Sequence, residues 1–167
     1  RVGGTAYRSA DLRVLAARLI GRRLSPMAPD VAPRGPVQIR PGVFAANILG
    51  AVATPADHAV LSLCRVGDRF ADRANRREFF LIDQPGANPG LAAVIADAVA
   101  EIDAFRAADI PVVVHCHAGE SRTGLVLRSW LMHHDGVDAE TAAAELSSRW
   151  PHLTRVNDDF EALLAAG

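Results

Sequence analysis

The sequence predicts an α/β fold, with a central, mostly parallel sheet of four to five strands and helices on both faces. Two observations carry this prediction: short runs of apolar and β-branched residues, and amphipathic helical stretches interleaved with them. The chain has 167 residues, enough for one domain with its own core. Half of the residues are hydrophobic, as in ordinary globular domains.

The first 36 residues are expected to lie outside the main domain. Residues 9–23 predict a helix with leucines on one face and arginines opposite. Prolines at positions 26, 29, 33 and 36 then indicate a linker, because proline is poorly tolerated in helices and inner strands. We therefore expect an N-terminal helix and proline-rich linker over 1–36, and the main domain over 37–167. Because the chain opens at Arg1 without methionine, we expect either a processed product or a domain cut from a longer protein, which leaves room for an upstream fused domain.

Four strands and four helices are predicted in the main domain. The strands are expected at residues 42–46, 59–63, 79–82 and 111–115. A long amphipathic helix follows Pro89, and a largely apolar helix runs from Gly124 until Gly136 ends it. Asp138 and Asn157 are good N-caps, so two closing helices are expected to start near them.

The sequence HCHAGESRTG is the most informative segment, because Cys116 and Arg122 frame a Cys-x5-Arg loop. Three valines before it predict a buried strand, and the residues after it predict a helix. The N–H groups of the loop are thus expected to gather at a helix N-terminus, where they bind phosphate and stabilise a thiolate. The segment predicts that a cysteine cleaves phosphate esters.

Cys116 needs help to act as a thiolate, since a free cysteine is mostly protonated at neutral pH. The helix N-terminus and the guanidinium of Arg122 favour the anion, and the planar fork of Arg122 also matches two phosphoryl oxygens. Thr123 is expected to donate to the sulfur once phosphate leaves, and His115 to brace the loop backbone. The residues expected to bind the substrate phosphate are His117, Ala118, Gly119, Glu120, Ser121 and Arg122.

Asp83 is the candidate general acid for the leaving oxygen. It follows an apolar segment and opens a loop rich in proline and glycine that can close over the site. The alternative is that Asp83 only caps a turn.

The segment HCHAGESRTG together with Asp83 resembles the cysteine-dependent protein tyrosine phosphatase superfamily, and most of all its small dual-specificity branch. The resemblance extends from about residue 37 to the end, through IRPGVFAANILG, AVLSLCRV and VNDDFEALL. It implies a two-step mechanism without metal or cofactor. Cys116 attacks phosphorus, Asp83 protonates the leaving oxygen, and water then hydrolyses the phosphocysteine.

Glu120 narrows the expected substrates. Phosphoinositide phosphatases of the superfamily place lysine in this part of the loop, and a carboxylate there repels polyphosphorylated lipid heads. We expect a dual-specificity or tyrosine phosphatase that acts on phosphorylated protein. One alternative is a phosphatase of a small phosphorylated metabolite or a nucleotide or ADP-ribose derivative. Another is a pseudophosphatase module that binds phosphate without turnover.

Five arginines crowd the segment before the acid loop and are expected to border the pocket. One or two of them are expected to bind an anionic group of the substrate beside its phosphate, and the others to be exposed to solvent. They are Arg65, Arg69, Arg73, Arg76 and Arg77.

The net charge and the cysteine content limit the partners and the cellular compartment that we expect. The net charge of −1 argues against nucleic acid or an anionic membrane as partner, and no apolar stretch is long enough to span a bilayer. Two cysteines do not make a secreted disulfide framework, so we expect a cytoplasmic protein. The resemblance places Cys64 beside the loop, where it either forms a reversible disulfide with Cys116 or is a small core residue.

Overall fold

The computed structural model describes residues 32–153 and 156–167, and the predicted helix at 9–23 and most of the linker lie outside them. The strands of the described chain are β1 (Val37–Arg40), β2 (Val43–Asn47), β3 (Ala59–Ser62), β4 (Arg76–Glu78) and β5 (Val112–Cys116). Its helices are α1 (Ile48–Val52), α2 (Leu91–Ala107), α3 (Ser121–Asp135), α4 (Ala139–Arg149) and α5 (Asp158–Ala166). No helix within these residues is both long and apolar enough to cross a membrane.

The five strands form one sheet in the order β1-β2-β5-β3-β4. Only the β1–β2 pair is antiparallel; β5 pairs in parallel with both β2 and β3, and β3 pairs in parallel with β4. The predicted mostly parallel α/β fold is therefore confirmed. In this register Asn47 lies opposite Cys116, so β2 and β5 end at the same edge of the sheet. Open parallel sheets bind ligands at that edge.

The central strands are covered on both faces. Every residue of β3 and β5 is buried. Because successive side chains of a strand point to opposite faces, full burial requires packing on both sides of the sheet. The apolar runs that predicted these strands are thus explained by their position in the middle of the sheet.

The strand predicted at residues 79–82 is wrong, because the strand at this place is β4, three residues earlier. All three residues of β4 are charged and exposed, so this edge strand carries no apolar pattern. The apolar residues that follow continue as an extended segment, in which the N–H groups of Phe79 and Leu81 donate to Ser62 and Leu63. Their hydrophobicity reflects one buried side chain, Leu81, rather than a strand.

The residues predicted to end or cap helices do so in the structure. Gly136 terminates α3 in the left-handed conformation with φ 67°, and Asp138 caps α4 by accepting from the N–H of Thr141 at 2.8 Å. Asn157 caps α5 in the same way, accepting from the N–H of Phe160 at 3.1 Å. The first turn of α3 begins at Ser121, three residues before the predicted start at Gly124. The loop that carries Cys116 therefore runs directly into a helix N-terminus.

Candidate active site

Cys116 is the last residue of β5, and four residues separate it from the first turn of α3. It is buried at the base of a cavity of about 430 Å³. The lining residues are Asp83, Pro85, Cys116, Ala118, Glu120, Ser121, Arg122, Asn157 and Asp158. The fold thus brings the predicted nucleophile, acid and arginine to one cavity.

Three of the residues predicted for catalysis or phosphate binding do not line this cavity. His117 is exposed, and its backbone carbonyl accepts from the N–H of Ile48 at 3.3 Å. Gly119, within the loop, and Thr123, in the first turn of α3, are both buried. If these residues bind phosphate or assist catalysis, they do so through their backbone N–H groups or, for Thr123, through a buried hydroxyl close to the loop.

Gly119 is required by the path of the loop. It has φ +74°, and a Cβ there would lie 2.9 Å from the backbone oxygen of Ala46. The indole N–H of Trp150 donates to the carbonyl of Gly119 at 2.6 Å, from a fully buried position. The end of α4 therefore fixes the loop from below, and no side chain other than hydrogen fits at this position.

Asp83 lies beside the Cys116 loop, and its carboxylate accepts two side-chain hydrogen bonds. The hydroxyl of Ser121 donates to its Oδ1 at 2.7 Å, and the side-chain amide of Asn157 donates to the same oxygen at 3.0 Å. The other oxygen, Oδ2, lies 3.9 Å from Nε of Arg122. Because both hydrogen bonds fall on Oδ1, Oδ2 is the oxygen that can carry a proton to a substrate.

The loop that follows Asp83 is tied to the N-terminus of α5. The N–H of Gly86 donates to the carboxylate of Asp159 at 2.5 Å. The sequence predicts Asn157 only as a helix cap, whereas its side chain both caps α5 and donates to Asp83. No local pattern predicts that second contact, since the two residues are 74 positions apart.

Arg122 uses few of its N–H donors in hydrogen bonds to the described part of the protein. Its Nη1 donates to the carbonyl of Leu81 at 3.3 Å. Its Nε is buried and makes no hydrogen bond within residues 32–153 and 156–167. A guanidinium carries five N–H donors in a planar fork. Several of them are thus left for the oxygens of an anion in the cavity.

The hydroxyls of Ser121 and Thr123 have different surroundings. Ser121 is committed to Asp83. The hydroxyl of Thr123 is fully buried and finds no hydrogen-bond partner in the described part of the chain. A buried polar group without a partner is costly and often marks a functional site.

His115 lies beneath the nucleophile as a neutral brace. Its Nε2 is 2.7 Å from the hydroxyl of Ser62, and its Nδ1 is 3.3 Å from the carbonyl of Cys116. Burial lowers the pKa of His115 to about 4, so the ring is uncharged at neutral pH. The ring therefore supports the backbone of the loop, as expected from its position in the sequence.

Cys64 is also buried and free. Burial raises the pKa of its thiol to about 11, and the nearby charge of Cys116 acts in the same direction. At neutral pH Cys64 is thus a protonated thiol, which is inert as a nucleophile.

Glu120 is paired at the mouth of the cavity with a residue that the sequence placed in the linker. Nη1 of Arg34 donates to its carboxylate at 2.8 Å. The backbone N–H of Arg34 donates to the side chain of Asn47 at 3.0 Å, and the Asn47 amide donates to the carbonyl of Ala32. Residues before β1 therefore contact the loop directly.

None of the five arginines expected to border the pocket lines the cavity. Four of them donate to backbone carbonyls: Arg69 to Val66, Arg73 to Val52, Thr54 and Pro55, Arg76 to Phe70, and Arg77 to Arg76. Arg77 also pairs with Glu101 at 2.9 Å. Arg65 differs, because its guanidinium lies over the ring of Phe80, 4.8 Å from the ring centroid.

Known proteins are similar to this chain in sequence family and in fold. The family model "Dual specificity phosphatase, catalytic domain" matches residues 71–166. The structure of human DUSP28 is similar with a TM-score of 0.69 and 23% identity, over 80% of this chain and 93% of that one. A mouse putative dual specificity phosphatase complexed with zinc tungstate gives a TM-score of 0.67 and 22% identity, over 85% and 91%. No curated protein matches the chain in sequence.

Proposed function

The chain belongs to the family of dual specificity phosphatase catalytic domains, and we propose that Cys116, Arg122, Asp83 and Thr123 perform its catalysis. It is a phosphoric monoester hydrolase of the dual-specificity type that acts through a phosphocysteine. One observation supports the assignment of residues above all: nucleophile, arginine and acid line the same cavity.

In the first step Cys116 acts as the nucleophile. Its thiolate sulfur attacks phosphorus, so that an S–P bond forms and the P–O bond to the leaving group breaks. Arg122 and the N–H groups of residues 117–122 bind the non-bridging oxygens, where negative charge is concentrated. Asp83 gives a proton from Oδ2 to the leaving oxygen while Ser121 and Asn157 hold its Oδ1.

In the second step water hydrolyses the phosphocysteine. Asp83, now deprotonated, takes a proton from the water, whose oxygen attacks phosphorus as the S–P bond breaks. The hydroxyl of Thr123 then donates to the departing thiolate. Its lack of any other partner among the described residues supports this role.

We propose phosphorylated protein as the substrate, with phosphotyrosine and phosphoserine or phosphothreonine both accepted. Glu120 lines the cavity and is paired with Arg34, so this position offers no uncompensated positive charge to ligands that carry several phosphates around the reacting one. A thiolate nucleophile suits a reducing compartment, so we place the enzyme in the cytoplasm. We assign the catalytic domain to residues 37–167, with 32–36 packed on it through Arg34. The redox role of Cys64 stays a prediction.

Two variants test the assignment of nucleophile and acid. Cys116→Ser is expected to abolish phosphate release, because a serine hydroxyl is far less nucleophilic than a thiolate. Asp83→Ala is expected to lower kcat by about 10²- to 10⁴-fold with little change in KM, since protonation of the leaving group and deprotonation of the attacking water are lost but phosphate binding is not. The assay measures phosphate released from phosphopeptides, phosphoinositides, mononucleotides and phosphorylated ADP-ribose derivatives.

Cys64→Ser is the matched control, because it makes the same exchange at the second buried cysteine. It is expected to keep most of the wild-type activity under reducing conditions. Full turnover by Cys116→Ser, or wild-type turnover that EDTA abolishes, would contradict the mechanism. Turnover confined to a nucleotide or ADP-ribose derivative would contradict a protein substrate.

A further inference from the structure

The three residues before Asp83 present an apolar surface beside the site. Leu81 is buried, and its carbonyl accepts from Arg122 at 3.3 Å. Phe80 and Ile82 point outward, with 51% and 38% of their surface exposed. Residues two apart in an extended segment face the same side. Two of the exposed large apolar side chains of the described chain thus lie together, next to the general acid.

Arg65 adds a positive charge to this surface. Its guanidinium is 4.8 Å from the centroid of the Phe80 ring. It makes no hydrogen bond or ion pair within residues 32–153 and 156–167, whereas the other four arginines of the segment donate to backbone carbonyls. Among these five arginines, Arg65 is therefore the one with a charge available to a ligand.

The position of its guanidinium over the Phe80 ring prepares Arg65 to bind an anion. A guanidinium that lies over an aromatic face keeps its N–H donors in its own plane, where they match the two oxygens of a carboxylate. Contact with Phe80 also restricts the rotamers of the arginine, which lowers the entropy lost on binding.

The surface lies outside the phosphate cavity. Arg65, Phe80 and Ile82 do not line it, although Asp83, the next residue of the chain, does. A ligand must therefore extend beyond the cavity to reach both. A polypeptide does so, because the residues that flank its phosphorylated side chain continue over the rim.

We propose that Arg65, Phe80 and Ile82 form a docking surface for the polypeptide around the phosphorylated residue, and that Arg65 selects substrates with a glutamate or aspartate close to it. Phe80 and Ile82 pack against apolar side chains of the same substrate peptide. The proposal rests on the proposed function, because the phosphate at Cys116 sets the position of the peptide.

Binding to the Cys116→Ser protein tests the surface without turnover. Two phosphotyrosine peptides are compared that differ only in glutamate or glutamine at the positions flanking the phosphotyrosine. Fluorescence anisotropy is expected to give about 5- to 10-fold tighter binding of the glutamate peptides, the effect of one charge-assisted contact. Adding Arg65→Gln is expected to remove that preference and to leave the affinity for the glutamine peptides unchanged.

Arg77→Gln is the matched control, because it removes a nearby arginine that is already paired with Glu101. It is expected to retain the preference. With active enzyme, Arg65→Gln is expected to lower kcat/KM for the glutamate peptides alone and to leave turnover of 4-nitrophenyl phosphate unchanged.

Equal affinity of the Cys116→Ser protein for both peptides would overturn the docking surface, as would a preference that survives Arg65→Gln. A wild-type enzyme that turns over no phosphate ester, alongside an Arg65-dependent preference in binding, would overturn the proposed function and leave the docking surface standing. The two failures are therefore distinguishable.

Discussion

At the scale of single residues, Asp83 owes its position to two side chains from distant parts of the chain. Ser121 comes from the first turn of α3, and Asn157 is the N-cap of α5. Both donate to Oδ1, so Oδ2 is left for the proton that Asp83 transfers. Asn157 is thus a positioning residue, since it acts on the substrate only through Asp83.

Asn157→Ser separates the two tasks of this side chain. Serine is also a good N-cap, so α5 is expected to keep its stability, but the serine hydroxyl is too short to donate to Asp83. For a phosphoserine peptide, whose leaving group needs a proton, kcat/KM is expected to fall by about tenfold. For 4-nitrophenyl phosphate, whose leaving group departs without help, kcat/KM is expected to change little, because this ratio reports only the first step. Steady-state kinetics and thermal unfolding measure these effects.

Asp138→Ser provides the control, because it makes a cap exchange at the start of α4, away from the cavity. It is expected to leave both kcat/KM values as in the wild type. An equal loss of kcat/KM on both substrates by Asn157→Ser would assign Asn157 a merely structural part.

At the scale of elements, His115 joins β5 to β3 directly beneath the loop. Its ring lies within hydrogen-bond distance of Ser62 on β3 and of the Cys116 carbonyl at the end of β5. Because it is buried, the folded protein binds its proton only below about pH 4, whereas an unfolded chain binds it below about pH 6.5. Acid therefore favours the unfolded state across that window.

This difference predicts a loss of stability with falling pH. The contribution of His115 is intact above about pH 6.5 and is lost progressively towards pH 4, amounting to about 2 kcal/mol between pH 7 and pH 5. Urea unfolding at both pH values measures it. His115→Gln is expected to be less sensitive to pH by that amount, whereas the exposed His133→Gln should behave as the wild type. Identical pH dependence in wild type and His115→Gln would contradict the account.

The elements also show where sequence patterns stop being informative. The apolar runs of β2, β3 and β5 predict these strands because the strands are buried. The edge strand β4 has three exposed charged residues and pairs with β3 through its backbone, so no apolar pattern marks it. The short α1 escapes prediction because its five residues are fewer than two helical turns.

At the scale of the whole molecule, the site gathers three separate parts of the chain. The end of β5 supplies Cys116, the segment after β4 supplies Asp83, and the start of α5 supplies Asn157. The parallel sheet makes this meeting possible, because β3, β4 and β5 point their carboxyl ends to one edge. The helices then close the edge from the side.

The same scale explains which site residues could be predicted. Cys116 and Arg122 belong to one loop, so their spacing in the sequence already fixes their chemistry. Asp83 was found because an acid must exist and the segment before it is apolar. The contact of Arg34 with Glu120 joins residues 86 positions apart and depends on how Asn47 holds the chain before β1. Such contacts follow from tertiary packing and leave no local pattern.

The central claim is that Cys116 carries the phosphoryl group between the two steps. Asp83→Ala with 4-nitrophenyl phosphate tests it most directly, because this leaving group needs no acid in the first step, whereas the second step lacks its base. Acid quench within the first turnovers, followed by mass spectrometry, is expected to find the phosphoryl group on the peptide that contains Cys116. Turnover without any covalent intermediate, or a phosphoryl group on another residue, would contradict the account.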